Sequence, residues 1–168
     1  MSQDTFQKYG HLAKSNLSFV VKSGRYRVQE QAEPLLIQDI ISKLELCPTD
    51  TLLEIGCGVG NLLIPLSFMV SFAKGIDHPE VVSNFNKRLS DPKIELVAAD
   101  FFEYKPKSHE AFSKILINSV LGAVSDESSV FDFIEKAANL LSPGGRLLVS
   151  DIANSDKKSR FVETKFGK

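Results

Sequence analysis

Apolar residues recur along this chain in two alternating rhythms. In "EPLLIQDIISKLEL" they fall at Leu36, Ile37, Ile40, Ile41 and Leu44, the spacing of one helical face. Pro34 suits the first turn of that helix. "CPTDTLLEI" breaks the pattern and runs into a short apolar strand. "NLLIPLSFMVS" predicts the next helix, with Pro65 early enough to cost little. "AKGID" reads as a second strand. "HPEVVSNFNKRLS" sets Val82, Phe85 and Leu89 on one helical face. "KIELVAAD" and "FSKILINSV" are the third and fourth strands, and "FFEYKPKSHEA" between them has room for a short helix at most. "SDESSVFDFIEKAANLL" spaces Val130, Ile134, Ala137 and Leu141 helically, with Ser125 or Asp126 as cap. "SPGG" stops it, and "RLLVSDI" is the fifth strand.

Strands alternating with helices predict an α/β fold with a mainly parallel sheet and helices on both faces. The strands are short and almost wholly apolar, as strands covered on both sides should be. Residues 28–151 form the expected core domain. Residues 1–27 read as an N-terminal helical or cap segment with a turn at Gly24, and residues 152–168 as a charged tail.

Composition narrows the setting. The 168 residues suit one domain. With 43% hydrophobic residues there is material for a core, and a net charge of −1 supplies no overall field toward nucleic acid or anionic lipid. "LLIPLSFMVSFA" is too short to span a bilayer, and "MSQDTFQKYG" lacks the apolar core of a signal peptide. Cys47 and Cys57 stand at no metal-ligand spacing and read as free thiols in a reducing compartment. The expected location is cytoplasmic, with no membrane partner and no metal.

The chemistry concentrates in "LEIGCGVGN". Gly56, Gly58 and Gly60 follow the first strand and open a helix, and Glu54 precedes them. A loop there turns backbone N–H groups toward the carboxyl ends of the strands, and glycines let a ligand lie directly on the chain. The dinucleotide fingerprint G-x-G-x-x-G fits poorly: its third glycine falls on Asn61, and a carboxylate at Glu54 would repel a diphosphate. A carboxylate suits a cationic ligand instead. "LLEIGCGVGN" resembles motif I, E/D-x-G-x-G-x-G, of the class I S-adenosylmethionine-dependent methyltransferases.

Further motifs of that family recur in order. Asp77 in "KGIDHPE" lies 21 residues after Gly56, where the resemblance implies an acid that accepts both ribose hydroxyls; the plainer reading is a helix cap. "VAADFFEY" supplies Asp100 for the adenine amino group and Phe101 for the ring, against turn-forming and core-packing alternatives. "ILINSVLGAV" sets Asn118, Ser119 and Val120 where the family's fourth strand meets the reacting methyl group. "LLSPGGRLLVSDI" is similar to its fifth-strand segment. The resemblance covers about residues 28–151. It implies a Rossmann-like methyltransferase sheet, S-adenosylmethionine as cofactor with S-adenosylhomocysteine as product, and a cofactor site of Glu54, Gly56, Cys57, Gly58, Gly60, Asp77, His78, Asp100, Phe101, Asn118 and Ser119.

Methyl transfer is an in-line displacement, so positioning and desolvation are the protein's main contribution. A base is needed only for an acceptor that must lose a proton. His11 and Asn118 are the weak catalytic candidates. His78 reads equally as a cap before Pro79, and His109 as a surface residue. Tyr9, Tyr26, Arg25 and Arg27 are further candidates in the N-terminal segment, an arginine there being able to bind the cofactor's carboxylate. The fourth strand ends in "NSVL", without the prolines and aromatic residue of base-methylating enzymes. No basic-aromatic stripe is visible, and Cys47 stands before Pro48, the reverse of a catalytic Pro-Cys. A small-molecule acceptor is therefore expected, a sugar, sugar-nucleotide or other biosynthetic intermediate, and nucleic acid is not. Two other classes stay open: a methyltransferase-like binding module or partner subunit without its own activity, and a dinucleotide oxidoreductase.

The family's sheet has seven strands in the order 3-2-1-4-5-7-6. After "RLLVSDI" only "ANSDKKSRFVETKFGK" follows, too short and too charged for a helix and a hairpin. Five parallel strands are expected, with the apolar fifth at the edge, where proteins normally cover such a strand. The tail folding back, a second chain pairing in a homo-oligomer, or a missing C-terminal portion would cover it; the last is the expectation.

Overall fold

The computed structural model describes residues 31–86 and 91–152, with positions 11, 154, 156, 159 and 163. The expected structure of residues 1–27 therefore lies outside the described residues, apart from His11. Helix α1 (Glu33–Leu44) precedes strand β1 (Thr51–Ile55). Helix α2 (Leu63–Ser67), strand β2 (Phe72–Asp77), helix α3 (Pro79–Asn86) and strand β3 (Ile94–Ala98) follow. Strand β4 (Phe112–Asn118), a 3-10 turn (Leu121–Ala123), helix α4 (Glu127–Ala138) and strand β5 (Leu141–Ser150) complete the described elements.

The five strands form one sheet in the order β3-β2-β1-β4-β5, and every neighbouring pair is parallel. Their side chains alternate between two cores. Leu53, Ile55, Ile76, Ile115 and Ile117 meet Phe133 and Ala137 of α4, with Phe101 and Tyr104. Leu52, Ala73 and Leu116 meet Ile40 and Leu44 of α1, Leu63 and Leu66 of α2 and Phe85 of α3. Burying each large aliphatic side chain contributes about 1.5–3 kcal/mol, which is why the strands carry so little polarity.

Local signals set most boundaries. Pro34 occupies the first turn of α1, and Glu45 ends the helix in the left-handed region at φ 50°. Leu46 N–H then donates to Ile41 O at 3.1 Å, closing the last carbonyls as a Schellman-type cap does. Asp126 caps α4 by accepting from Ser129 N–H at 2.9 Å. At the foot of the sheet Asp50 accepts from Cys47 N–H and from Ser113 Oγ, both at 2.8 Å. It thereby ties the start of β1 to β4. Burial alone would raise the Asp50 carboxyl, but these hydrogen bonds and the charge of Lys114 hold it below its ordinary value.

Two elements differ from expectation. The helix after the glycine loop spans only Leu63–Ser67, and the chain then turns, leaving Phe68 exposed. β2 must start immediately, and Ser71 N–H donates to Asp50 O at 2.9 Å, so the helix has no room to continue. β5 begins at Leu141, ahead of "SPGG". Leu141 pairs with Phe112 and Arg146 with Lys114, so the intervening residues form an irregularity in the ladder rather than a clean stop. β3 and β5 are the outer strands among the described residues. No helix among the described residues is long and apolar enough to cross a membrane.

Candidate functional site

The strand order reverses between β1 and β4, and a parallel sheet opens a crevice at that point, at the carboxyl ends of its strands. A cleft lies there. It encloses about 980 Å³ of empty space, open mouth included.

The glycine loop forms its floor. Gly56 N–H donates to Ile76 O at 2.8 Å, which pins the loop across the end of β2. The expected reason for the glycines was room for a ligand. At two of them the room is filled by the protein itself. A Cβ on Gly56 (φ +76°) would lie 2.4 Å from Val120 Cγ2, and one on Gly60 (φ +89°) would lie 2.1 Å from the Phe85 ring. Gly60 is therefore a packing residue between the loop and α3, outside the cleft lining. Gly58 has a different part: its N–H donates to Asp77 Oδ2 at 2.6 Å.

Asp77 ends β2 with both oxygens engaged, Oδ2 by Gly58 and Oδ1 by His78 N–H at 2.6 Å. A carboxylate has about four acceptor positions. Two are used, and two are left toward the cleft, enough for a pair of hydroxyls. Burial raises the Asp77 carboxyl above its ordinary value, against the lowering effect of the two N–H donors. Glu54, on the central strand, is only 2% exposed and lines the same cleft. Burial, and then the charges of Asp77 and Glu54, push the Cys57 thiol well up, so it is a protonated packing group rather than a nucleophile.

Of the other expected residues, His78, Phe101, Asn118 and Ser119 also line the cleft. His78 Nδ1 accepts from Glu80 N–H at 3.1 Å, which makes it the cap of α3 as well. Asn118 is buried and accepts from Ser150 Oγ at 2.8 Å. Asp100 does not line the cleft; its Oδ1 accepts from Phe102 N–H at 2.9 Å, shaping the turn that carries Phe101. His109 and His11 are exposed, and neither lines the cleft. Tyr9, Tyr26, Arg25 and Arg27 lie outside the described residues.

Sequence reasoning missed one aromatic contributor and one link between strand ends. Phe133 of α4 reaches the cleft lining, its ring 4.8 Å from Phe101. Ser119 Oγ donates to Asp151 Oδ2 at 2.6 Å, linking the ends of β4 and β5, and both residues have positive φ (63° and 56°). Ser119 was expected at the site from the fourth-strand motif, but its link to Asp151 rests on left-handed backbone at two non-glycine positions, which no linear pattern reveals. Among the described residues that line the cleft are two carboxylates and no lysine or arginine. Such a set of acceptors repels phosphate and fits a cationic ligand that carries hydroxyls.

A family model described as a methyltransferase domain matches residues 28–166. The chain belongs to that family. Within it, the resemblance to class I S-adenosylmethionine-dependent methyltransferases rests on both the motif order and the sheet. This methyltransferase domain is 22% identical over 142 residues to a ubiquinone biosynthesis O-methyltransferase of Vibrio atlanticus, covering 83% of the chain and 59% of that protein. The chain thus spans less than two thirds of that relative's length. Among solved structures, it matches the N-methyltransferase NodS of Bradyrhizobium japonicum in complex with S-adenosylhomocysteine. The TM-score is 0.70 at 21% identity, over 88% of this chain and 72% of NodS. A DhpI–S-adenosylhomocysteine complex matches with a TM-score of 0.72 at 16% identity, over 92% and 70% of the two chains. At these identities the likeness is one of fold.

Proposed function

We propose that this domain binds S-adenosylmethionine in the cleft and transfers its methyl group to a small-molecule acceptor. The observation that carries the reading is the placing of Glu54 and Asp77 around a glycine loop, with no lysine or arginine among the described lining residues. Under this reading Asp77 accepts the two ribose hydroxyls on its two remaining positions. Glu54 supplies negative charge under the cationic part of the cofactor. Phe101 packs against the adenine ring. Gly56, Cys57 and Gly58 offer backbone, His78 closes the wall beside Asp77, and Asn118 and Ser119 border the end at which the methyl group leaves. Gly60 and Asp100 act indirectly, through the packing of α3 and the turn that holds Phe101.

S-adenosylmethionine supplies an electrophilic methyl group on a sulfonium that is already a good leaving group. The chain's own part is to hold the acceptor in line with that group and to exclude water, for which oriented binding is the main source of rate. Under the same reading Asn118, which accepts from Ser150 Oγ, orients the acceptor. No side chain is required to remove a proton unless the acceptor is a hydroxyl or a protonated amine. A small molecule is favoured because the end of β4, Asn118 to Leu121, carries neither an aromatic nor a basic residue to hold a nucleobase.

Calorimetry with S-adenosylmethionine, S-adenosylhomocysteine and NAD tests the cofactor. Micromolar-range binding of the first two and none of NAD is expected; no binding at millimolar concentration overturns the reading. Labelled methyl transfer to a panel of small hydroxyl and amino compounds then tests turnover. Binding without transfer to any acceptor would favour a cofactor-binding module.

A further inference from the structure

The turn after β3 is held from one side by α4. Phe101 lines the cleft, and Phe101 and Phe102 both pack on Phe133, at ring distances of 4.8 and 5.3 Å. One cation adds to this. Lys136 Nζ donates to Phe102 O at 2.7 Å and stands 5.3 Å from the centroid of the Phe101 ring. It lies one helical turn after Phe133, so both side chains rise from the same face of α4.

Lys136 is half-buried there. Burial lowers its pKa, while the charge of Asp100 acts the other way. Its hydrogen bond fixes the carbonyl of Phe102, and Asp100 Oδ1 fixes the N–H of the same residue. Both polar groups of one peptide segment are thereby held, and that segment presents Phe101 to the cleft. A cation over an aromatic ring is attracted to the face it covers, so the ring is held by its charge as well as by packing. An apolar residue at 136 would keep the packing and lose the rest.

We infer that Lys136 is a positioning residue: it sets the Phe101 ring as a wall that takes a flat heteroaromatic base. The inference deepens the proposed function and rests on it, since the base is that of the cofactor. Lys136 itself does not line the cleft, so its effect on ligand is carried through Phe101 alone.

The test is calorimetric titration of the full chain and its variants with S-adenosylhomocysteine and, separately, with adenosine. Lys136→Met retains the aliphatic stem. It is expected to weaken both ligands by the same factor, about tenfold, the order of one lost hydrogen bond to a charged group. Lys136→Arg keeps a cationic donor and is expected to stay within about threefold of the parent. A general loss of packing would not be rescued in this way. If Lys136→Met does not fold, Lys136→Gln, one atom shorter and uncharged, should show the same loss. Unchanged affinity in the folded neutral variant overturns the inference, as does equal weakness of the arginine and methionine variants. If the parent chain binds neither ligand at millimolar concentration, the proposed function falls and this inference with it. A parent that binds while the variants are indifferent removes the inference alone.

Discussion

Asp77 shows how one side chain can serve the fold and a ligand at once. Its two N–H partners hold it at the end of β2 and leave half of its acceptor capacity toward the cleft. Asp77→Ala should therefore weaken S-adenosylhomocysteine by about 2–3 kcal/mol, since hydrogen bonds to a charged acceptor are worth about 1.5–3 kcal/mol each and water substitutes in part. Titration calorimetry checks this; unchanged affinity would leave Asp77 a structural clamp. Because burial raises this carboxyl, it protonates above the ordinary value of about 3.9. Its charged form is the better acceptor, so affinity should fall as pH drops through that raised value, and the fall should be absent in the alanine variant. Gly75 gives a second case. A Cβ there would lie 2.6 Å from Cys57 Sγ, 2.7 Å from Leu63 Cδ2 and 2.9 Å from Leu96 Cδ2. Overpacking of this kind costs about 1–3 kcal/mol, so Gly75→Ala should lower the free energy of urea unfolding by that amount, seen as a lower midpoint at an unchanged denaturant slope.

At the scale of elements, the connection from β3 to β4 has no helix among its described residues and is tied down by charge. Lys74 of β2, 2% exposed, pairs with Glu110 and lies 3.2 Å from Glu95 of β3; Tyr104 donates to the other oxygen of Glu110. The segment that begins at Phe101 is thus fixed at both ends, by α4 and by the interior of the sheet. Burial would raise the Glu110 carboxyl, but its bonds from Lys74 and Tyr104 bring it below its ordinary value. A depressed carboxyl contributes stability that is complete above the unfolded value of about 4.3 and is lost as pH falls through the folded one. Glu110→Gln should destabilise the domain by about 1–3 kcal/mol at neutral pH, less than the loss of an isolated buried partner because Glu95 remains. The gap from the parent should narrow below about pH 4. Unfolding curves of both proteins from pH 3 to 7 would show it, and a gap independent of pH would mean that the carboxylate charge contributes nothing.

At the scale of the whole molecule, a ligand in the cleft joins the glycine loop, the end of β2, the β3 turn and the end of β4. Binding to the folded state alone at a hundred times Kd adds about 2.7 kcal/mol. For a domain of this size that corresponds to roughly 5–11 °C in Tm. Differential scanning fluorimetry with S-adenosylhomocysteine should show that rise, and none with NAD. The fifth strand is an outer strand among the described residues, with Leu147, Leu148 and Val149 half-buried.

Periodicity alone placed all five strands and the α1, α3 and α4 helices, because burying an apolar stripe or a doubly covered strand dictates the spacing directly. The order of the strands and the joining of Glu54 with Asp77 came from the resemblance, and the sheet bears the order out. The extent of α2 was not legible, since its end is set by where β2 must begin. Nor was the role of two glycines: only the tertiary structure shows that Gly56 makes way for Val120 and Gly60 for Phe85. Lys136 looks in the sequence like one more surface charge on an amphipathic helix. Its place over Phe101 depends on how α4 lies against the β3 turn, a contact between segments 34 residues apart. A chain's own pattern records which side chains must leave water. Which of them then meet is decided by packing, because that depends on shape and distance that no single segment encodes.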